Sequence, residues 1–318
     1  MPAFLNAIFN EDIMDNNKNK KSAFIAIVGR PNVGKSSLLN RMLGAKIAIV
    51  SSKPQTTRTR ITGVLTEGDI QLVFVDTPGM HKPKNSLGKY MVRSVSESVN
   101  GVDCCMLVVE ADKEPSQAEL NLIEKFKSME MPAILAINKI DTLKEKDALM
   151  KQILNYSKLY DFEAVVPVCA ADGNGIDELK DELKKQSMEG GHFFDDDTLT
   201  DQPERVLASE IIREKILRLC DKEIPHGIAV VIEKMRMRED KEILDIDATI
   251  YCERETHKRI LIGKSGSMLK KISTYSRQDM ENFFGCKVFL QTWIKVKEDW
   301  RNSIQQMRNF GYNDKDFQ

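Results

Sequence analysis

Cysteine and histidine are scarce in this chain: six cysteines and four histidines among 318 residues. No two cysteines form a CxxC pair, and no cysteine–histidine spacing matches a metal-ligand set. That excludes a zinc-built fold and gives no sign of a disulfide framework. The cysteines read as reduced small hydrophobes, the usage of a cytoplasmic protein. Long apolar runs are also missing. The longest, around Val102–Val109, falls far short of the roughly 18–20 residues a membrane span needs and suits a buried strand. Neither sign of charge dominates: 47 Lys and Arg face 48 Asp and Glu, a formal net charge of −1. A nucleic-acid-binding surface must therefore be a local patch. Residues 1–21 lack the pattern of a signal peptide or presequence, because Glu11, Asp12 and Asp15 interrupt them, and they read as a polar extension.

What is present is ordinary globular composition, 42% apolar and 30% charged, with length enough for two compact domains. From Phe24 to Met188, strand-like stretches (AFIAIVG, IQLVFVD, VDCCMLVVE, PAILAIN, AVVPVCA) alternate with helix-like ones. The helix-like stretches are KSSLLNRML, Ser86–Val99, Ser116–Met129, Lys144–Leu159 and Gly175–Gln186. This α/β alternation predicts a mostly parallel sheet with helices on both faces. The expected domain spans residues 22–188. Residues 189–203, with Gly190, Gly191, Asp195–Asp197 and Pro203, have no periodicity and read as a linker. An α+β domain follows over 204–318, in the order helix, strand, strand, helix, glycine loop, helix, strand. Glu239-Asp240 is its expected hairpin turn, and Asp299–Asn309 a closing helix.

Three motifs carry the chemistry. Gly29-Arg30-Pro31-Asn32-Val33-Gly34-Lys35-Ser36 fits GxxxxGK[ST], with a strand before it and a helix after. Its glycines let backbone N–H groups wrap phosphate oxygens, and the helix N-terminus favours the same anion. Lys35 is expected on the β- and γ-phosphates and the Ser36 hydroxyl on Mg²⁺. Asp76-Thr77-Pro78-Gly79 ends a strand, where Asp76 is placed to hold Mg²⁺ and the Gly79 N–H to sense the γ-phosphate. Asn138-Lys139-Ile140-Asp141 ends another. Asp141 accepts from guanine N1 and N2 together, a donor pair adenine lacks, so the expected nucleotide is GTP or GDP.

With these motifs in order on successive strand ends, the chain resembles the translation-factor-like GTPases. The resemblance implies that Gln55-Thr56-Thr57-Arg58 is the first switch, with Thr57 a third Mg²⁺ ligand beside Ser36 and Asp76. It also implies that Cys169-Ala170-Ala171 touches the base through the Ala170 N–H, with Cys169 in place of the commoner serine. Nucleotide contacts are thus expected at Gly29, Arg30, Pro31, Asn32, Val33, Gly34, Lys35, Ser36, Ser37, Asp76, Thr77, Pro78, Gly79, Met80, Asn138, Lys139, Asp141 and Ala170. Lys35, Thr57, Gly79 and Asn32 are the expected catalytic set. Met80 follows the second motif where many relatives carry a glutamine that orients water, so intrinsic turnover is expected to be slow. In the similar subclass with a hydrophobic residue there, some members hold K⁺ through an asparagine at the position of Asn32. Two roles stand open for Asn32: potassium ligand, or stabiliser of the loop turn. Arg58 is expected to serve a switch conformation or a partner, not the chemistry.

In the second domain, Gly263-Lys264-Ser265-Gly266 is a GxxG loop between two short helices, preceded by Ile262. GxxG alone is a weak signal. Here it stands in the element order of a type II K-homology domain and among local basic residues, Lys270 and Lys271 included, which predicts single-stranded RNA binding. Ile260, Ile262, Met268, Leu269 and Ile272 are candidates for the groove wall. Trp293 and Trp300 are candidates either for base stacking or for anchoring the fold.

A GTPase domain followed by this domain, together with TDQPERVLASEIIREKILRL, IPHGIAVVIE, LIGKSGSMLKKI, FLQTWIKVKEDWR and NFGY, resembles the Era family of bacterial GTPases from Lys21 to the end. The resemblance implies binding near the 3′ end of small-subunit ribosomal RNA and a role in maturing the small ribosomal subunit. It further implies a GTP-favoured RNA-binding form, a monomer, and a cytoplasmic location with peripheral contact to the inner membrane in some members. A GTPase that recruits proteins through the second domain is the alternative.

Overall fold

The computed structural model describes residues 20–51, 53, 56–79, 83, 85–220, 227–239 and 241–312. Residues 1–19, Gln55, Met80 and Asp240, on which expectations fall, lie outside these. The described chain divides into two compact units. One holds residues 20–45, 60–77 and 97–201, the other 46–59, 78–96 and 202–312.

The first unit is a sheet ordered β2-β3-β1-β4-β5-β6, built from β1 (Lys21–Val28), β2 (Ile61–Glu67), β3 (Ile70–Asp76), β4 (Cys104–Glu110), β5 (Ala133–Asn138) and β6 (Ala164–Pro167). β1 pairs in parallel with β3 and β4, as do β4 with β5 and β5 with β6. Covered on both faces, β4 and β5 are near-continuous apolar runs and almost wholly buried. The helices are α1 (Lys35–Leu43), α2 (Ser86–Val99, most of it in the second unit), α3 (Gln117–Met129), α4 (Lys146–Ser157) and α5 (Ile176–Lys184). Ser116 caps α3 in a reciprocal box with Glu119, satisfying two otherwise orphaned N–H groups.

Two features depart from the sequence reading. β2, which that reading did not name, is an antiparallel edge strand beside β3. Only partly buried and threaded with Thr62, Gly63 and Thr66, it lacks the apolar density that marks its neighbours. Residues 189–203 are irregular, as their missing periodicity implies, but up to Asp201 they are fastened to this unit. β7 (Met188–Glu189) pairs antiparallel with β1. The buried Gln71 side chain accepts from the N–H groups of Phe193 and Phe194 at 2.8 and 3.0 Å. The Val64 N–H donates to Leu199 O at 2.9 Å, and the Thr200 hydroxyl to Thr62 O at 2.6 Å.

The second unit has a sheet ordered β10-β9-β8, from β8 (Ala229–Met237), β9 (Ile243–Cys252) and β10 (Lys287–Val296). β8 and β9 are antiparallel, while β9 and β10 are parallel. Helices α6 (Glu204–Leu219), α7 (Glu255–Ile262) and α8 (Ser267–Phe284) share one core with the inward strand residues, through Ile212, Ile216, Leu261, Ile272 and Met280. The helix after the glycine loop is therefore long, not short. The closing helix is shorter than expected: a 3₁₀ turn at Trp300–Asn302 and then α9 (Ile304–Asn309), capped by Ser303. Trp300 is fully buried with Tyr90, Met91 and Tyr312 and donates from Nε1 to Gly227 O at 3.0 Å. It is an anchor of the fold, which removes it as a base-stacking residue.

Candidate functional site: the phosphate loop and the GxxG loop

The phosphate loop is held by its own unit. Gly29 has φ 148°, and a Cβ there would stand 2.3 Å from Val108 O, so the backbone passes too close to β4 for any side chain. Gly34 has φ 102° and would place a Cβ 2.2 Å from Asn138 Nδ2. That amide donates to Val33 O at 2.7 Å, and its Oδ1 accepts from the Ala170 N–H at 3.1 Å. Asn138 thus ties three segments together, and the Ala170 N–H expected at the base is engaged by it here. Lys139 donates to Asn32 O at 2.7 Å and pairs with Glu110, fixing the loop from the other side. Asn32 itself is exposed, with φ 66°.

Lys35 bends over the loop and donates to Gly29 O and Arg30 O at 3.2 and 3.1 Å. Burial lowers its pKa to about 8, opposed by the Asp76 charge. The Ser36 hydroxyl donates to Asp76 Oδ2 at 2.6 Å, bringing two hard oxygens together. Thr77 is fixed by its hydroxyl on Ile27 O at 2.8 Å. Around the third motif, a pocket of about 340 Å³ is lined by Gly34, Ser37, Asn138, Lys139, Asp141, Thr142, Cys169, Ala170 and Ala171. The Cys169 thiol, raised in pKa by burial, donates to Asp141 Oδ1 at 3.2 Å, so the residue expected in place of serine supports the Asp141 carboxylate. Arg30 is drawn elsewhere: its Nε donates to the buried Glu119 at 2.8 Å, joining the loop to the cap of α3. Pro31, Ser37 and Asp141 sit with this group, whereas Pro78 and Gly79 fall in the second unit.

Thr57 also belongs to the second unit, within a first-switch segment held largely by side chains of α6. Glu214, fully buried, accepts from the Val50 N–H at 3.0 Å and from Lys46 at 2.6 Å. Arg218 donates to Val50 O at 3.0 Å and to Glu214 at 2.9 Å. Arg213 donates to Thr56 O and is itself held by Glu210 at 2.7 Å. Arg58, 3% exposed, donates to Ile228 O at 2.5 Å and to the Tyr312 hydroxyl at 3.3 Å, with its guanidinium 5.8 Å from the Trp300 ring centre. The residues flanking Thr57 on both sides are therefore anchored. Sequence reasoning missed Glu210, Arg213, Glu214 and Arg218. Opposite charges three and four apart on a helix read as a solvated face, and only their interleaving with paired apolar residues hinted that the helix is buried all round.

In the GxxG loop, Gly263 has φ 72°, and a Cβ there would meet Met268 N at 2.8 Å, so only glycine fits. Ser265 and Gly266 are also left-handed, at 51° and 78°. They wrap a 3₁₀ turn (Lys264–Gly266) onto the N-terminus of α8, whose first turn carries no acid. Backbone donors, helix dipole, and the exposed Lys264, Lys270 and Lys271 converge there, a set suited to backbone phosphates. Of the groove-wall candidates, Ile260 is exposed, Ile262, Met268 and Leu269 are half-buried, and Ile272 is core.

Known families match both parts of the chain. Residues 24–139 match the family model for 50S ribosome-binding GTPases, and residues 223–301 the KH domain. GTPase Era of Clostridioides difficile (strain 630) is 50% identical over 93% of this chain and 99% of its own length. That of Ruminiclostridium cellulolyticum is 48% identical over 92% and 97%. An Aquifex aeolicus Era variant bound to GDP and AlF₄⁻ superposes with a TM-score of 0.88 at 38% identity, over 92% of this chain and 99% of that one. So does Era in complex with MgGDPNP and nucleotides 1506–1542 of 16S ribosomal RNA, with the same values. A P-loop that grips a guanine nucleotide, a KH fold that follows it, and relatives matched over nearly their whole length place this chain in the Era family of GTPases, and it hydrolyses GTP.

Proposed function

We propose that this GTPase is a switch that binds single-stranded ribosomal RNA near the 3′ end of the small-subunit RNA and acts in small-subunit assembly. The observation that carries the reading is the GxxG turn: three left-handed residues in four, delivered to the N-terminus of a helix whose first turn carries no acid, among exposed lysines. The 16S RNA fragment held by a relative of 38% identity supports the same partner.

Ser36, Asp76 and Thr57 are the proposed Mg²⁺ ligands, and the 2.6 Å contact between the first two fits a hard, oxygen-liganded cation. When bound, the ion neutralises charge developing on the phosphates. Lys35 binds the β- and γ-phosphates, the Gly79 N–H senses the γ-phosphate, and Asp141 selects guanine. K⁺ beside Asn32 is the proposed source of added positive charge, and equal hydrolysis rates in Na⁺ and K⁺ would dispose of it. Residues 22–188 and 204–318 are the proposed nucleotide and RNA domains, with the switch segment serving both. A segment needed by the nucleotide and gripped by α6 couples the two functions. Peripheral membrane contact remains a proposal from family likeness alone; among the described residues no helix is long and apolar enough to cross a membrane.

Fluorescence anisotropy with a short RNA of the 16S 3′-end sequence tests the reading. Binding in the micromolar range or tighter, lost in Lys264→Glu with basal GTP hydrolysis kept, is expected. No binding at low salt, with protein partners still captured, would favour the recruiting alternative.

A further inference from the structure

The face of the three-stranded sheet turned away from its helices carries two large aromatics. Along β10, Val288, Leu290, Ile294 and Val296 point into the core, while Phe289 and Trp293 are each 46% exposed. Registered neighbours share a face. Phe289 stands beside Asp245 and then Arg236, and Gln291 beside Asp247 and then Lys234. Trp293 stands beside Thr249 and then Val231. Arg238 grips Asp245 at 2.9 and 3.1 Å and lays its guanidinium 5.3 Å from the centre of the Phe289 ring. Lys287 and Lys295, both exposed, bracket the aromatics on the same strand. Arg236 is paired with Glu239 and Arg238 with Asp245, while Lys234, Lys287 and Lys295 stand against Asp247 and, at the bulge, Glu233.

Exposed aromatics bracketed by cations fit one kind of occupant. Bases stack on the rings without sequence preference, and phosphates meet the lysines and arginines. Phe289 and Trp293 are four residues apart, about 13 Å along a strand, a span that an extended single strand covers in a few nucleotides. β10 is an edge strand of its sheet, and α8, the helix that begins at the GxxG loop, packs on its other face. We propose that this face is a second, sequence-tolerant platform for single-stranded RNA, taking up the chain that continues from the GxxG loop. The proposal rests on the RNA reading above, on a different face of the same fold.

The two tryptophans make it testable in the full-length protein. Trp300 is fully buried and Trp293 is not, so quenching on RNA addition reports the platform. Anisotropy and tryptophan emission are measured with a 4-nucleotide and a 12-nucleotide RNA of the same 5′ sequence. The 12-mer should bind more tightly and quench, the 4-mer should bind without quenching, and Trp293→Ala and Phe289→Ala should each weaken the 12-mer roughly tenfold. The 4-mer affinity should not move, and Trp293→Phe should restore most of the loss. Equal affinity for both RNAs with no quenching would overturn the platform and leave the GxxG reading intact. Failure of both RNAs to bind would overturn both.

Discussion

The phosphate loop and the proposed first-switch segment are held by different means. The loop is shaped by glycines pressed against strands and by amide and lysine bonds from the third motif: Gly29 on Val108 O, Asn138 on Val33 O, Lys139 on Asn32 O. It is preorganised by its own unit. The switch segment has no such frame and is held by ions of α6, the buried Glu214 and Arg213 and the exposed Arg218, each bonded to another ion and to the segment's backbone. A loop that must always fit phosphate is built rigid, while a segment that must change is pinned by a few polar contacts that can be exchanged for others.

The largest effect that would sharpen this contrast is expected at Glu214. Its replacement by Ala leaves Lys46, Lys215 and Arg218 without their shared carboxylate, and should lower the unfolding free energy by about 3–5 kcal/mol. Urea titration checks it; a loss below 1 kcal/mol would make the cluster incidental. Next is Lys35→Ala, which removes a charged contact to phosphate and should weaken fluorescent-GDP binding on the order of 100-fold, with no loss of stability.

Lys35 also sets a pH dependence. Its burial penalty is present in full below pH 8, where the folded protein keeps the proton. Stability therefore rises with pH from about 8 towards 10.5, because the unfolded chain then binds more protons. Nucleotide affinity should move the opposite way, falling as Lys35 loses its charge above pH 8. Titrations of GDP from pH 7 to 9.5 check it, and a flat profile would contradict the buried-lysine geometry. The smallest effect is at the RNA surface: Lys270→Ala and Lys271→Ala should each reduce the salt slope of RNA binding by about one, read from affinities at several salt concentrations.

Much of this was legible in the sequence, for physical reasons. The buried parallel strands announce themselves as apolar runs, and the three nucleotide motifs demand residue types that few other sites need in that order. The order of the second domain could be read from apolar periodicity and two glycines. What stayed hidden depends on tertiary surroundings. β2 alternates too weakly to stand out. Nothing near Arg30 in the sequence says that its side chain reaches Glu119, far along the chain. Trp300 and Trp293 are alike on paper, yet one is core and the other exposed. Thr57 could be named as a ligand by resemblance, but nothing local reveals that its neighbours are anchored by residues 213, 228 and 312.

The central claim is that the nucleotide and the RNA-binding unit share the switch segment. The affinity of the full-length protein for the 16S 3′-end RNA, measured with GDP and with a non-hydrolysable GTP analogue, tests it most directly. Coupling of ordinary size predicts binding roughly 5- to 150-fold tighter with the analogue, and a smaller difference in Arg213→Ala, where the grip on Thr56 is gone. Identical affinities in both nucleotides, in wild type and variant alike, would contradict it.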